Sequence, residues 1–404
     1  MYGIALEGGG TKGAYQIGAW KALRELGIEY NVVAGTSIGS LNGAFMVMDA
    51  FDEALKLWEN IEPSMIINGD PRLLKKMSKL SFDYEDFHDM VRFTSKVISD
   101  GGLDVSPLRR LIGDMLDEET VRQSPVRFGM VTVNLSDLKP VEVMVEDIPH
   151  GRIGDYLLAS CSLPGFQGNY IEDKLFLDGA FHDNLPLNLV ASTGCKKIIA
   201  IEIKGTGRRS KLVDPTVEVI HIVPSDDTGG TLEFNQEMVN RNMTMGYYDT
   251  MRVFKKLRGQ RYYLENCPEE QIFIDQLLDL TDEQILGLGK SLGIRKMSPK
   301  RMIFEKIIPT LAELLKISSK KDYSDVFIGL YEYCAEKMGM ERYAIYDTIA
   351  FFEQVEKNLL EWNDIDQKDN SYFKQLLKST GLYKVALKDE LLMDILFKAI
   401  IMRR

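Results

Sequence analysis

Ser37 lies in GTSIG at 35–39, a G-x-S-x-G pattern placed after the apolar run NVVAG and before a helical stretch. In that setting the pattern reads as a nucleophile elbow. A sharp strand-to-helix turn holds the serine at strained backbone angles with its hydroxyl exposed, and Gly35 and Gly39 flank it where backbones approach too closely for a Cβ. A serine nucleophile also needs donors for the developing oxyanion and a base for its proton. EGGGTKG at 7–13 offers the donors, because Gly8, Gly9, Gly10, Thr11, Lys12 and Gly13 follow the strand-like YGIAL and precede the helical AYQIGAWKALREL. Amides of that loop, helped by the positive end of the following helix, can face a carbonyl attacked by Ser37. Lys12 either adds positive charge there or pairs with a surface carboxylate.

The same loop has two rival readings, and both fail. Gly8, Gly10 and Gly13 satisfy G-x-G-x-x-G, but a dinucleotide site needs an acidic residue ending the second strand, and that strand ends in AGTSIG with Glu29 before it. A phosphate-binding P-loop needs Lys and then Ser or Thr after its last glycine, whereas Lys12 precedes Gly13. Candidates for the base are His88, His150, His182 and His221, and Asp178 in KLFLDGAFHDNLPL, a carboxylate closing an apolar strand. Taken alone, an aspartate in that position is better explained as a turn or helix cap.

The elements that must position these groups follow from periodicity. YGIAL, the helical AYQIGAWKALREL closed by Gly27, and NVVAG form a strand-helix-strand unit. RFGMVTVNL, PVEVMVE, KKIIAIEI and TVEVIHIV read as further strands, and YIEDKLFL as a tight hairpin around Glu172 and Asp173. Strands with crossover helices predict an α/β fold whose mixed central sheet is covered on both faces. Residues 61–116 lose the strand signal and read as a helical insertion. Its Phe82, Tyr84, Phe87, Met90 and Phe93 are expected either to wall an acyl pocket or to pack as a plain helix. From about residue 231 onward the pattern is almost wholly helical.

Together, EGGGTKG, GTSIG and DGA at 178–180 resemble the patatin-like phospholipase family in its oxyanion loop, nucleophile elbow and aspartate motif, and in their order. ASCSLPGFQG at 159–168 is similar to the segment preceding that family's aspartate hairpin, and DNLPL to its following N-x-P turn. The resemblance implies a three-layer α/β/α fold, with a catalytic domain at 1–258 and a helical region at 259–404. It implies a Ser37–Asp178 dyad acting without histidine, an oxyanion held by Gly9 and Gly10 amides, Gly179 and Ala180 completing the aspartate motif, and no metal or cofactor. The implied substrates are acyl esters of phospholipids or lysophospholipids. An exposed aspartate, with a pKa near 3.9, is a feeble base for a hydroxyl, so Asp178 is expected to be partly desolvated and oriented by donors. Two alternatives remain at this stage: an ordinary α/β-hydrolase triad of Ser37, Asp178 and His221, and a non-catalytic scaffold.

Composition narrows the setting. With 404 residues and 45% apolar content the chain can bury a sizeable core, and no stretch reaches the roughly 18 apolar residues of a membrane span. The apolar run at the N-terminus lacks a basic leader, which predicts a cytoplasmic protein. A net charge of −11 disfavours nucleic acid and charge-driven adhesion to anionic lipid, so membrane contact is expected to be peripheral and apolar. Cys161, Cys195, Cys267 and Cys334 are too scattered for a zinc site or a disulfide framework. No protein partner is implied.

Overall fold

A computed structural model describes residues 1–70, 102–295, 297–318, 322–361, 392 and 395. It divides into two compact units, Met1–Val253 and Phe254–Arg404. In the first, the strands are β1 (Tyr2–Leu6), β2 (Tyr30–Thr36), β3 (Arg127–Asn134), β4 (Lys139–Met144), β5 (Asn169–Ile171), β6 (Lys174–Asp178), β7 (Lys197–Ile201) and β8 (Glu218–Ile222). They form one sheet in the order β5-β6-β3-β2-β1-β7-β8, with β4 paired to β3. Pairs β1–β2, β2–β3, β1–β7 and β7–β8 are parallel, and β3–β4, β3–β6 and β5–β6 antiparallel. The sheet is therefore mixed, as the strand pattern predicts.

Central β1 and β2 are buried along most of their length because both sheet faces are covered, and their sequence is a run of apolar residues rather than an alternation. One face sends Ala5, Val32, Ala34, Ile198 and Ala200 toward Leu189 and Val190 of the helix Leu187–Ser192. The opposite face carries Leu6, Val33 and Phe128 against α2 (Ile38–Val47), where a Cβ on Gly43 would come 2.9 Å from the Phe128 ring. Full burial of side chains such as Ile4, Leu6 and Val33 contributes roughly 1.5–3 kcal/mol each. The layers are thus helix, sheet, helix.

Two local features fix the chain path near the site. Helix α1 (Ala14–Glu25) ends in a Schellman motif: Gly27 takes φ 64°, its N–H donates to Arg24, and the Ile28 N–H donates to Leu23. The β5–β6 hairpin turns through Glu172 and Asp173, both at positive φ (50° and 61°), with Ile171 opposite Lys174.

The described ends of the 61–116 insertion include the helix Ser106–Met115 and a bridge between Asn68 and Asp104. Phe82, Tyr84, Phe87, Met90 and Phe93 lie outside the described residues. The second unit contains helices Glu270–Leu278, Asp282–Ser291, Ile308–Leu314 and Tyr323–Lys337 around buried Ile285, Ile303, Ile328 and Phe351. It also holds a parallel pair of three-residue strands, Tyr263–Glu265 and Ile345–Asp347, which the almost wholly helical sequence pattern does not mark. Three residues are too few to register a period of two. Among the described residues no helix is long and apolar enough to cross a membrane.

Candidate active site

Ser37 sits in the turn between β2 and α2 at φ 55°, ψ −128°, a region L-residues seldom occupy and one that costs on the order of 1–3 kcal/mol. The flanking glycines make the turn sterically feasible. A Cβ on Gly35 would lie 2.2 Å from the Gly39 carbonyl oxygen, and one on Gly39 would lie 2.4 Å from that of Leu6. The Ser37 N–H donates to Ser160 Oγ at 2.9 Å, and Ser160 Oγ donates to the Val131 carbonyl at 2.7 Å, which ties the elbow to β3.

The Ser37 hydroxyl donates to Asp178 Oδ2 at 2.7 Å. Asp178 ends β6 and is fully buried; its second oxygen, Oδ1, accepts the Ala180 N–H at 2.8 Å. Burial pushes its pKa up to about 7, against the opposing pull of the Ser37 and Ala180 donors. Gly179 cannot carry a side chain, since a Cβ would lie 2.2 Å from the Val131 carbonyl.

Within the loop 8–13 the amides divide into committed and free. Gly8 N–H donates to the Asn184 carbonyl at 3.0 Å and Thr11 N–H to the Thr231 carbonyl at 2.8 Å. Lys12 is buried, and its ammonium donates to the Lys204 carbonyl at 2.7 Å; burial lowers its pKa, against the opposing charges of Glu7 and Asp227. Among the described residues, the N–H groups of Gly9 and Gly10 have no acceptor in the protein. Gly10 adopts φ 58°, and a Cβ there would lie 1.9 Å from the Thr231 oxygen. A Cβ on Gly13 would lie 2.6 Å from Ile38 Cγ1, so that glycine lets the loop pack onto the elbow helix.

Ser37 and Gly10 open onto a cleft with a volume of about 70 Å³. Its walls are apolar, formed by Leu41, Leu108, Leu163, Phe166, Leu232 and Phe234 among others. Cys161 also lines it, beside Ser37; burial first, and then the nearby Asp178 charge, drives its thiol pKa far up, which disfavours the thiolate.

Residues 4–191 match the family model described as patatin-like phospholipase. This part of the chain is similar to the patatin-like phospholipase family. A Caenorhabditis elegans patatin-like phospholipase domain-containing protein is 26% identical over 215 residues, covering 52% of this chain and 14% of that protein. The Mus musculus patatin-like phospholipase domain-containing protein 7 is 24% identical over 203 residues, covering 50% and 13%. Lysophospholipase nte1 of Aspergillus terreus is 26% identical over 203 residues, covering 50% and 12%. The chain thus spans only about one-eighth of the length of these relatives. The crystal structure of VipD from Legionella pneumophila aligns at a TM-score of 0.41 and 15% identity, covering 98% of this chain and 90% of that one, too loose a likeness to carry an argument.

Among the described residues, Asp178 takes its side-chain hydrogen bonds from Ser37 and Ala180 and from no histidine. His221 lies on β8, and its Nδ1 is 2.7 Å from Glu202 Oε1; His182 Nε2 is 3.0 Å from Glu142 Oε1. A Ser37–Asp178–His221 triad is therefore not assembled, because β1 and β7 separate β2 from β8. His150 follows β4 in a turn, and His88 lies outside the described residues.

Two polar groups that sequence reasoning did not single out also serve the site. Ser160, in the quoted ASCSLPGFQG, fixes the Ser37 amide. Arg209, in the basic run RRSK at 208–211, pairs with fully buried Glu7 at 2.6 Å and with Glu202 at 2.5 Å. Glu7 immediately precedes the glycine loop, and its Oε2 accepts the Ile203 N–H at 2.6 Å; burial raises its pKa while that N–H and Arg209 oppose the rise. A charge pattern in sequence gives no sign of such a partner two hundred residues away.

Proposed function

We propose that the chain is a serine acyl hydrolase that cleaves acyl esters of phospholipids or lysophospholipids, with Ser37 as nucleophile and Asp178 as base. The observation that carries this reading is the 2.7 Å hydrogen bond from Ser37 Oγ to a buried carboxylate whose pKa is pushed up to about 7. A base poised near neutrality accepts a proton far more readily than an ordinary aspartate. As Ser37 Oγ bonds to the ester carbonyl carbon, its proton passes to Asp178 Oδ2 and the carbonyl electron pair moves onto oxygen. The Gly9 and Gly10 N–H groups stabilise that oxyanion. When the tetrahedral species collapses, the carbon–oxygen bond to the alcohol breaks, and the alcohol leaves with the proton from Asp178. Water then attacks the acyl-serine, gives its proton to Asp178, and Ser37 recovers that proton as the fatty acid departs.

The apolar cleft beside Ser37 favours an acyl chain over a polar substituent. The relatives named as lysophospholipases support lipid esters as the class. Catalysis is assigned to residues 1–258, leaving 259–404 without a chemical role in this scheme. The test is a fluorophosphonate probe together with a panel of phospholipids, lysophospholipids, neutral lipids and short-chain esters. Labelling that is lost in Ser37→Ala, with turnover of lipid esters, is expected; an unlabelled, inactive wild type refutes the proposal and favours a scaffold.

A further inference from the structure

Asn184 grips Gly8 from both sides. The Gly8 N–H donates to the Asn184 main-chain carbonyl, and Asn184 Nδ2 donates back to the Gly8 carbonyl, each at 3.0 Å. The side chain is fully buried in a cage of glycines. A Cβ on Gly8 would lie 2.4 Å from Asn184 Oδ1, one on Gly207 would lie 2.7 Å from Asn184 Cβ, and one on Gly205 would lie 1.8 Å from the Gly8 oxygen. The neighbouring Asp183 carbonyl accepts the Thr36 hydroxyl at 2.8 Å, one residue before Ser37. The stretch 178–184 thus supplies Asp178, anchors the elbow and holds the glycine loop.

The geometry points to Asn184 as the positioning residue that aims the Gly9 N–H. A trans peptide is planar, with its C=O and N–H pointing in opposite directions. Fixing the Gly8 carbonyl against Asn184 Nδ2 therefore fixes the Gly9 N–H to point away from Asn184. Without that bond a peptide between two glycines can rotate as a unit at little steric cost, and one free donor of the loop loses its direction. Asn184 itself need not touch substrate. This inference rests on the acyl-transfer reading, in which Gly9 N–H meets the oxyanion.

Asn184→Ala removes the donor, and Asn184→Asp sets an oxygen against the Gly8 carbonyl. For a short-chain ester, with rates normalised to fluorophosphonate-titrated sites, each variant should lower kcat about 10²- to 10³-fold, the loss typical of one oxyanion donor, with KM within about twofold. Affinity for a trifluoromethyl ketone, which forms an oxyanion on Ser37, should fall by a similar factor. Folded variants with kcat within about threefold of wild type, beside an inactive Ser37→Ala, would overturn the role of Asn184 while leaving the dyad standing. A wild type that neither turns over esters nor labels at Ser37 would instead remove the acyl-transfer reading, and this inference with it. A measurement on the unaltered chain guards against misfolded variants. In glycine-¹⁵N-labelled wild type, the ketone should shift the Gly9 amide proton downfield and leave the Gly8 amide in place; an unresponsive Gly9 amide overturns the inference.

Discussion

Thr36 and Asp178 face consecutive residues along one edge of β3: Thr36 pairs with Val131, and Asp178 with Thr132. β4 occupies the other edge of β3 across both positions, so parallel β2 and antiparallel β6 must meet end to end. The residue after Thr36 then lands beside the last residue of β6. The 2.7 Å contact between Ser37 and Asp178 thus starts from sheet register, held by backbone hydrogen bonds, and the elbow turn at Ser37 completes it.

Because the contact starts from the sheet register, replacing the carboxylate should leave the architecture in place. Asp178→Asn keeps the side-chain volume and can still accept the Ala180 N–H, but it loses the basic oxygen. Turnover should fall by several orders of magnitude, to within about tenfold of Ser37→Ala, because base and nucleophile act as a unit. Steady-state kinetics with circular dichroism as a fold control tests this. A folded Asp178→Asn enzyme with most of its turnover rules out the dyad.

The pH dependence of kcat/KM should report the same group. Only ionised Asp178 can take the serine proton, and its pKa is pushed up to about 7. With a non-titrating ester, kcat/KM should fall about tenfold per pH unit below 7 and level off above it. His182→Ala and His221→Ala should retain most activity and the same profile, since their imidazoles face Glu142 and Glu202. A profile displaced by either histidine substitution would contradict this assignment.

The sequence makes the fold and the serine elbow legible because each leaves a local trace. β1 and β2 are apolar runs, Glu172 and Asp173 mark a hairpin, and Ser37 sits between glycines that the turn requires. The division of labour inside the loop 8–13 leaves no such trace. Gly8, Thr11 and Lys12 are committed to Asn184, Thr231 and Lys204, partners 176, 220 and 192 residues away, so Gly9 and Gly10 emerge as the free donors only once the chain is folded. The same holds for Glu7, whose buried charge is offset by Arg209.

Relieving the elbow should stabilise the protein while abolishing its chemistry. Ser37 is held at φ 55°, ψ −128°, a conformation that glycine adopts without a Cβ penalty. Ser37→Gly gives up the hydrogen bond to Asp178 but sheds strain on the order of 1–3 kcal/mol, so it should unfold at a higher denaturant concentration than Ser37→Ala. Urea titration of the two variants compares them directly. Equal midpoints would mean that the backbone at Ser37 stores no strain.

Chain-length preference should depend on the strap over the cleft. Leu232 and Phe234 line it and are only half-buried, so polar substitutions there spare the core. Leu232→Asn and Phe234→Asn should raise KM for long-chain esters severalfold while changing short-chain turnover by less than about twofold, since one or two lost apolar contacts are worth roughly 1–3 kcal/mol. Equal effects on both ester lengths would place the acyl chain elsewhere.

The stability of the folded chain should carry the signature of the buried carboxyl. Asp178 has a folded-state pKa of about 7 against 3.8 for an ordinary aspartate. Below the lower value both states hold the proton, and the contribution of Asp178 to stability is fully present. As pH rises from about 4 to 7 the unfolded chain releases the proton that the folded chain keeps, so that contribution is progressively lost. Above about 7 both states are ionised and no further loss occurs. Asp178→Asn lacks this titration, so its stability relative to wild type should climb between pH 4 and 7, by an amount on the order of 4 kcal/mol, and then stay level. Glu7 and Asp183, whose pKa values burial also raises, are common to both proteins and cancel in the difference. Urea unfolding at intervals from pH 4 to 8 measures the gap. If it is constant across that range, Asp178 titrates as an ordinary aspartate, and a base poised near neutrality is lost from the mechanism.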